Sequence, residues 1–283
     1  MAVNKSPRAI ILADGTRPEI RDAVDRLRPT IEKHLKVVDV SLDFGAKLSR
    51  QDADLAIVLG GDGSILRASH QLGYHQLPVL GVNLGRLGFL AALQPEQLEQ
   101  ALPEIAAGRH HVVEHLMIEC SATRAGRPLY HSLALNEAAV LAGPPFTMLD
   151  IQLYVDGDLV TTYSCDGLIV STPIGSTAHS LSAGGPIIRN DIQVLVILPI
   201  NPHTLTHRPV VDSADRTIEL VVPQPHEGTS LVVDGRVLGT LKAEDRISIK
   251  RSEALFQMIK VRGQAYYRTL HDKLGWGGQI KKP

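Results

Sequence analysis

Up to Gly108 the chain alternates short apolar runs with longer stretches in which apolar residues recur at helical spacing. The runs at residues 9–12, 37–40, 55–59 and 79–82 read as strands, and the stretches at 18–35 and 64–72 as helices, with Pro29 weakening the first. A further helix is predicted over 95–107. Its apolar residues Leu98, Ala101, Leu102, Ile105 and Ala106 fall at helical spacing, and it stops at Gly108, a usual helix terminator. Helices alternating with buried strands are the pattern of a mostly parallel sheet covered by helices, so this part of the chain is expected to be α/β.

Beyond Gly108 the texture changes. Segments 112–120, 129–141, 151–163, 216–222 and 230–241 are β-branched or alternating and are punctuated by Gly, Pro and Asp. Asp156-Gly157 and Asp234-Gly235 have the composition of two-residue hairpin turns, which need residues that tolerate positive φ. The expected organisation is an α/β domain over 1–108, a β-rich domain over 109–262, and a segment over 263–283, helical at 266–276, that returns to the first domain.

Composition narrows the function. The 283 residues are 44% hydrophobic and 21% charged, enough for one large or two ordinary cores. Because 29 basic side chains nearly balance 30 acidic ones, no overall field advertises a nucleic acid or an anionic membrane as a partner. An anionic ligand must therefore be held locally. Cys120 and Cys165 lack the spacing of a zinc site or a disulfide framework, and the apolar run 9–13 is too short for a signal core or a membrane span. A soluble cytoplasmic protein is the expectation.

Four segments carry candidate chemistry. In the first, the strand 55–59 runs into Gly60-Gly61-Asp62-Gly63 and then a helix. Three glycines let the main chain approach a phosphate and present unhindered N–H donors, and the helix N-terminus adds partial positive charge. Asp62 is the odd member among donors that invite an anion. On its own the turn fits a capped strand-to-helix junction equally well, and it is neither the lysine-containing Walker loop nor the dinucleotide fingerprint. The second segment, Gly81 to Leu90, is another glycine-rich turn after the next strand, with Arg86 as a candidate phosphate ligand. The third is Asn136-Glu137, which interrupts an apolar run and so either faces water at a bulge or meets a polar ligand such as a ribose. The fourth runs from Cys165 and Asp166 to Gly184-Gly185-Pro186. It joins a strand, a Pro-Ile-Gly turn, a hydroxyl-rich helix start and a Gly-Gly-Pro stop. A hydrolase triad of Ser180, His179 and Asp166 is discounted, because adjacent helical side chains do not face each other and the nucleophile-elbow sequence is absent.

Taken together, Gly60 to Gly63, Asn136-Glu137, and Asp166 to Pro173 followed by Gly175 to Ala178 and Ser180 to Pro186 resemble the NAD kinase family in order and separation. Pro202 to Thr206, Arg208-Pro209 and the ending Leu270 to Trp276, including Lys273 to Trp276, extend the resemblance over nearly the whole chain. It implies a Rossmann-like amino-terminal domain of the phosphofructokinase and diacylglycerol kinase type, a β-sandwich-like carboxy-terminal domain, and an active site between them. It also implies a homodimer or homotetramer that uses ATP with Mg²⁺, or polyphosphate, to phosphorylate the 2′-hydroxyl of the adenosine ribose of NAD. By the same resemblance Asp62 is the proton acceptor for that hydroxyl and Gly63 lies beside the ligand. Asn136, Glu137, Asp166, Thr177, Ala178, His179, Ser180, Leu181 and Ser182 become NAD contacts, while Gly60, Gly61, Gly63 and Arg86 stay the phosphate candidates that the glycine turns themselves suggest. The metal ligands are not identified by it.

The chemistry is compatible with these residues. Phosphoryl transfer depends on positioning and charge neutralisation and needs no covalent nucleophile. A carboxylate is a weak base toward a sugar hydroxyl, so Asp62 would orient that group and accept its proton late. The chain departs from the family pattern at His179, where the family usually has tyrosine, at Ile174, usually threonine, and at Arg236, often glutamine. These departures raise one alternative, a catalytically weak NAD-binding sensor of the same fold.

Overall fold

The computed structural model describes residues 6–46, 48, 53–85, 88–91, 93–204, 206–261 and 266–275. Arg86 and Trp276 lie outside the described residues. The chain divides into two compact units, Met1–Glu114 with Phe256–Pro283, and His115–Leu255.

The first unit opens with β1 (Arg8–Ala13), α1 (Pro18–Glu32), β2 (Lys36–Ser41), β3 (Leu55–Leu59), α2 (Asp62–Leu72), β4 (Val79–Val82) and α3 (Pro95–Ala106). Its strands pair in parallel in the order β2-β1-β3-β4. Every residue of β3 and β4 is buried, as expected where both faces of a parallel sheet are covered. Helix α1 runs through Pro29 and ends one turn later at Glu32. Burial of Leu27 and Ile31 on either side offsets the hydrogen bond that the proline ring cannot make. Helix α3 starts with Pro95 and is closed by Gly108 at φ 69°, the left-handed position that glycine adopts most readily. The core joins Ile11, Ile57, Leu59, Leu80 and Val82 of the sheet to Ile20, Ile31, Leu98 and Leu102 of the helices.

The second unit contains β5 (His111–Arg124, from His115 onward), β6 (Arg127–Ala134), β7 (Glu137–Leu141), β8 (Leu149–Val155), β9 (Asp158–Cys165), β10 (Gly167–Ser171), α4 (His179–Ser182), β11 (Val194–Ile200), β12 (Val210–Ser213), β13 (Ile218–Val221), β14 (Ser230–Val233) and β15 (Arg236–Thr240). A six-stranded antiparallel sheet has the order β12-β11-β10-β7-β14-β15. Its inner residues Val140, Leu168, Val170, Ile197 and Leu231 share one core with Ile118, Ile151, Leu153 and Ile218 of β5, β8 and β13, the layering of a β-sandwich. Both hairpin turns form, with positive φ at Asp156, Gly157, Asp234 and Gly235.

The segment 129–141 is not one strand. It breaks after Ala134 because β6 pairs with β5 whereas β7 belongs to the six-stranded sheet, so Asn136-Glu137 sits where the chain changes sheets. The chain ends with β16 (Arg246–Lys260) and α5 (Tyr266–Leu274). The first part of β16 pairs with β13. Its last residues lie in the first unit, where Met258 stands opposite Val79 in a parallel pair.

Candidate functional site

In the first unit, β3 delivers the chain to Gly60, whose N–H donates to the carbonyl of Val82 at 2.9 Å, and α2 begins two residues later with Gly61 as its N-cap. A Cβ placed at Gly61 or Gly63 would meet nothing within 4 Å, so the first turn of α2 opens onto free space. That is an anion-receptive helix end. Beside it lies a cleft of about 420 Å³ lined by Arg17, Ile20 and Arg26, by Gly60 and Gly61, by Asn83 to Gly85, and by Gln94 to Glu96. Its lining combines the guanidinium groups of Arg17, which is ion-paired to Glu19, and of Arg26 with the glycine turn.

The carboxylate of Asp62 is gripped by a single loop. Its Oδ2 accepts the N–H of Phe89 at 2.7 Å, and its Oδ1 accepts those of Leu90 and Ala91, each at 3.0 Å. Oδ1 is thereby filled, and Oδ2 keeps one lone pair for a ligand hydroxyl. The loop comes this close because residue 88 is glycine, since a Cβ there would collide with the carboxylate. Lys273 of α5 steadies the same loop, with its ammonium 5.9 Å from the centroid of the Phe89 ring. The second glycine turn thus acts on Asp62 through its backbone. Arg86, proposed as a side-chain ligand there, is outside the described residues.

In the second unit, Asn136 and Glu137 are both buried. Asp234 of the β14–β15 turn accepts the N–H groups of Leu135, Asn136 and Glu137 at 2.8, 2.8 and 3.0 Å, which satisfies the backbone at the sheet change. Oε2 of Glu137 is buried and has no hydrogen-bond partner among the described residues. Burial, reinforced by the Asp234 charge, pushes the Glu137 carboxyl up to about 8. A buried polar group left open in this way is suited to a polar ligand.

The long hydroxyl-rich motif joins this dipeptide through the β10–β7 pairing, which sets Ser171 opposite Glu137. The hydroxyl of Thr172 donates to the carbonyl of Leu135 at 2.6 Å and accepts the N–H of Gly175 at 3.1 Å. Gly175 lies so close to the Asn136 backbone that no Cβ fits between them. Thr177 and Ala178 follow in a half-buried turn, and α4 then presents His179 and Ser182 outward with Leu181 half-buried. Ser180 points inward, with its hydroxyl buried and unpartnered. Ile174 is buried as an apolar plug, and Arg236 is exposed at the start of β15. Asp166 stands apart. It precedes Gly167 at the opposite end of β10 from Ser171 and Glu137, and accepts a hydrogen bond from Asn201 Nδ2 at 2.9 Å.

Two family models match the chain in succession: the ATP-NAD kinase N-terminal domain over residues 13–110 and the ATP-NAD kinase C-terminal domain over residues 135–261. The chain belongs to the NAD kinase family. The NAD kinase of Rhodopirellula baltica is 52% identical over 276 residues, covering 98% of this chain and 89% of that protein. The NAD kinase of Cellvibrio japonicus is 38% identical, with 89% and 87% covered. Among solved structures, an Archaeoglobus fulgidus NAD kinase in complex with ATP has a TM-score of 0.74 at 31% identity, covering 95% of this chain and 98% of that one. Yeast NADH kinase complexed with NADH shares the fold, with a TM-score of 0.87 at 23% identity and coverage of 99% and 91%.

Sequence reasoning missed several residues of this NAD kinase fold that act on the predicted ones. Asp234 was read only as a hairpin residue, although an acidic side chain at a turn can equally anchor neighbouring N–H groups. The grip of residues 89–91 on Asp62 is made by backbone and has no side-chain signature. Thr172 was visible only as part of a family motif, and Asn201 lies one residue before another. Lys260 was not noticed, because β16 itself was not read.

Proposed function

We propose that the protein is an NAD kinase in which Asp62 accepts the proton of the 2′-hydroxyl of the adenosine ribose of NAD while a phosphoryl group arrives from ATP to give NADP. One observation carries this assignment: the Asp62 carboxylate is fixed by three backbone N–H groups yet keeps an open lone pair beside the N-terminus of α2. A carboxylate held in this way needs no reorganisation to align a hydroxyl. The first-turn N–H groups at Gly61 and Gly63, with Arg26 along the cleft, suit a polyanionic donor, ATP or polyphosphate.

NAD would be held by Asn136, Glu137 and the segment from Thr177 to Ser182, with Asp166 at the far end of the same strand layer. Glu137 and Ser180 supply buried polar atoms that lack protein partners. Among the described residues no three His, Cys, Asp or Glu side chains converge to hold a metal ion. Mg²⁺ would arrive with the phosphate donor and would supply charge neutralisation at the transferring group. The two cysteines are free and buried, which suits a reducing cytoplasm, and among the described residues no helix is long and apolar enough to cross a membrane. A homodimer or homotetramer is the assembly we favour from the family.

Steady-state kinetics of Asp62→Asn test the assignment. Turnover is expected to fall by about 10³-fold or more, with KM for NAD changed less than about threefold. Turnover close to wild type would remove Asp62 from its role.

A further inference from the structure

We infer that Lys260 is a catalytic cation that holds the transferring phosphoryl group against the 2′-oxygen, from the same face of the sheet as Asp62. The inference rests on the assignment of Asp62 just made. It begins with strand alternation. Met258 faces Val79 across the parallel β4–β16 pair, and Ile259 joins the core cluster shared with α1 and α3, so Met258 and Lys260 point to the other face. Helix α2 covers that face, since its Ile65 packs on Gly81, where an added Cβ would meet Ile65 Cδ1 at 2.7 Å. Asp62 is the first residue of that same helix. Lys260 therefore reaches the carboxyl end of the sheet on the side from which Asp62 is presented.

Among the described residues Lys260 makes no hydrogen bond and no ion pair, and it stands beyond salt-bridge reach of Asp62. Burial lowers its pKa, and the one charge that acts against this is Asp62. Taking a lysine partly out of water with no compensating contact is unfavourable for folding alone. A buried cation within the field of Asp62 but not ion-paired to it suits a group whose oxygens need the cation and whose incoming hydroxyl needs the carboxylate.

The phosphoryl group meets both needs. As the bond from the 2′-oxygen to phosphorus forms, the bond from phosphorus to the bridging oxygen breaks, and its electron pair leaves on the nucleoside diphosphate. The hydroxyl proton passes to Asp62. Lys260 remains protonated and neutralises charge on the equatorial oxygens, which persists in the product as the 2′-phosphate. NADP and NAD differ at that position alone, so Lys260 should distinguish them.

Lys260→Met and Lys260→Arg, with Asp62→Asn alongside, test this by kinetics, by titration calorimetry with NAD and with NADP, and by thermal unfolding. For Lys260→Met the expected results are a kcat about 100-fold lower, NADP binding weakened about tenfold or more, NAD binding within about threefold, and a Tm unchanged or raised. Lys260→Arg should recover most of the preference for NADP. A kcat within about threefold of wild type, or equal losses for NAD and NADP, would overturn the inference. If Lys260→Met does not fold, the arginine variant decides: a folded protein that no longer favours NADP counts against Lys260, and one that does counts for it. Turnover retained by Asp62→Asn would bring down the acceptor assignment instead, and would leave the comparison of NADP with NAD readable.

Discussion

Asp234 accepts the N–H of Glu137 at 3.0 Å and so fixes its own negative charge beside a second carboxyl that is buried and has one oxygen without a partner. Glu137 is consequently pushed up to about 8 from an ordinary 4.5. In the unfolded chain this group ionises near the ordinary value, so between the two values the folded state binds the extra proton. Stability from this group is present at the acid end of the window and is lost as pH rises through about 8. Relative to Glu137→Gln, the wild-type protein should lose on the order of 3 kcal/mol between about pH 5 and pH 8. Denaturant unfolding of the two proteins across that range checks it, and parallel curves would refute it.

Replacing Asp234 by alanine leaves three N–H groups at the change of sheet without their acceptor. Each unpaired buried donor costs about 1–3 kcal/mol before water enters, so a loss of at least ~2 kcal/mol is expected. NAD affinity should fall as well, because Asn136 and Glu137 are held in place by those bonds. Thermal unfolding and NAD titration of Asp234→Ala measure both effects, and Asp234→Asn should be milder because it keeps one acceptor oxygen.

Gly88→Ala separates position from chemistry. The added methyl would occupy the place of the Asp62 carboxylate, so the loop or the carboxylate must move. A displacement of about 1 Å at a reacting group costs on the order of 100-fold in rate. The variant should therefore lose turnover while its Tm changes little, and near-normal kcat would show that the grip of residues 89–91 is dispensable.

Cys120 and Cys165 are buried, and desolvation raises their thiols to about 12 and about 11. Little thiolate forms in the folded protein at neutral pH. A thiol-directed reagent should label neither residue until denaturant is added. Rapid labelling of native protein would show that the second unit opens readily.

The first unit was legible because its strands are short apolar runs bounded by glycine turns, and β4 occupies the predicted residues 79–82 without change. β16 escaped notice because Lys250, Arg251 and Glu253 interrupt its alternation halfway along, near the point where it passes from one unit to the other. β11 carries Pro199, which argues against a central strand, yet pairing with β12 involves only Val194 to Ile197, so the missing N–H is not called for. At the candidate site, glycine turns and interrupting polar residues are what single out Asp62, Asn136 and Glu137 as candidates in the sequence. What positions them is long-range: backbone donors 27 to 29 residues away for Asp62, and an aspartate 97 to 99 residues away for the residues from Leu135 to Glu137. Local pattern carries no trace of such partners.

The most direct measurement is NADP formation by the purified chain from NAD, ATP and Mg²⁺, followed with an NADP-specific dehydrogenase. Sustained production that requires both NAD and a phosphoryl donor, and that disappears in Asp62→Asn, is the expected result. Folded protein that binds NAD but yields no NADP with either ATP or polyphosphate would contradict the assignment.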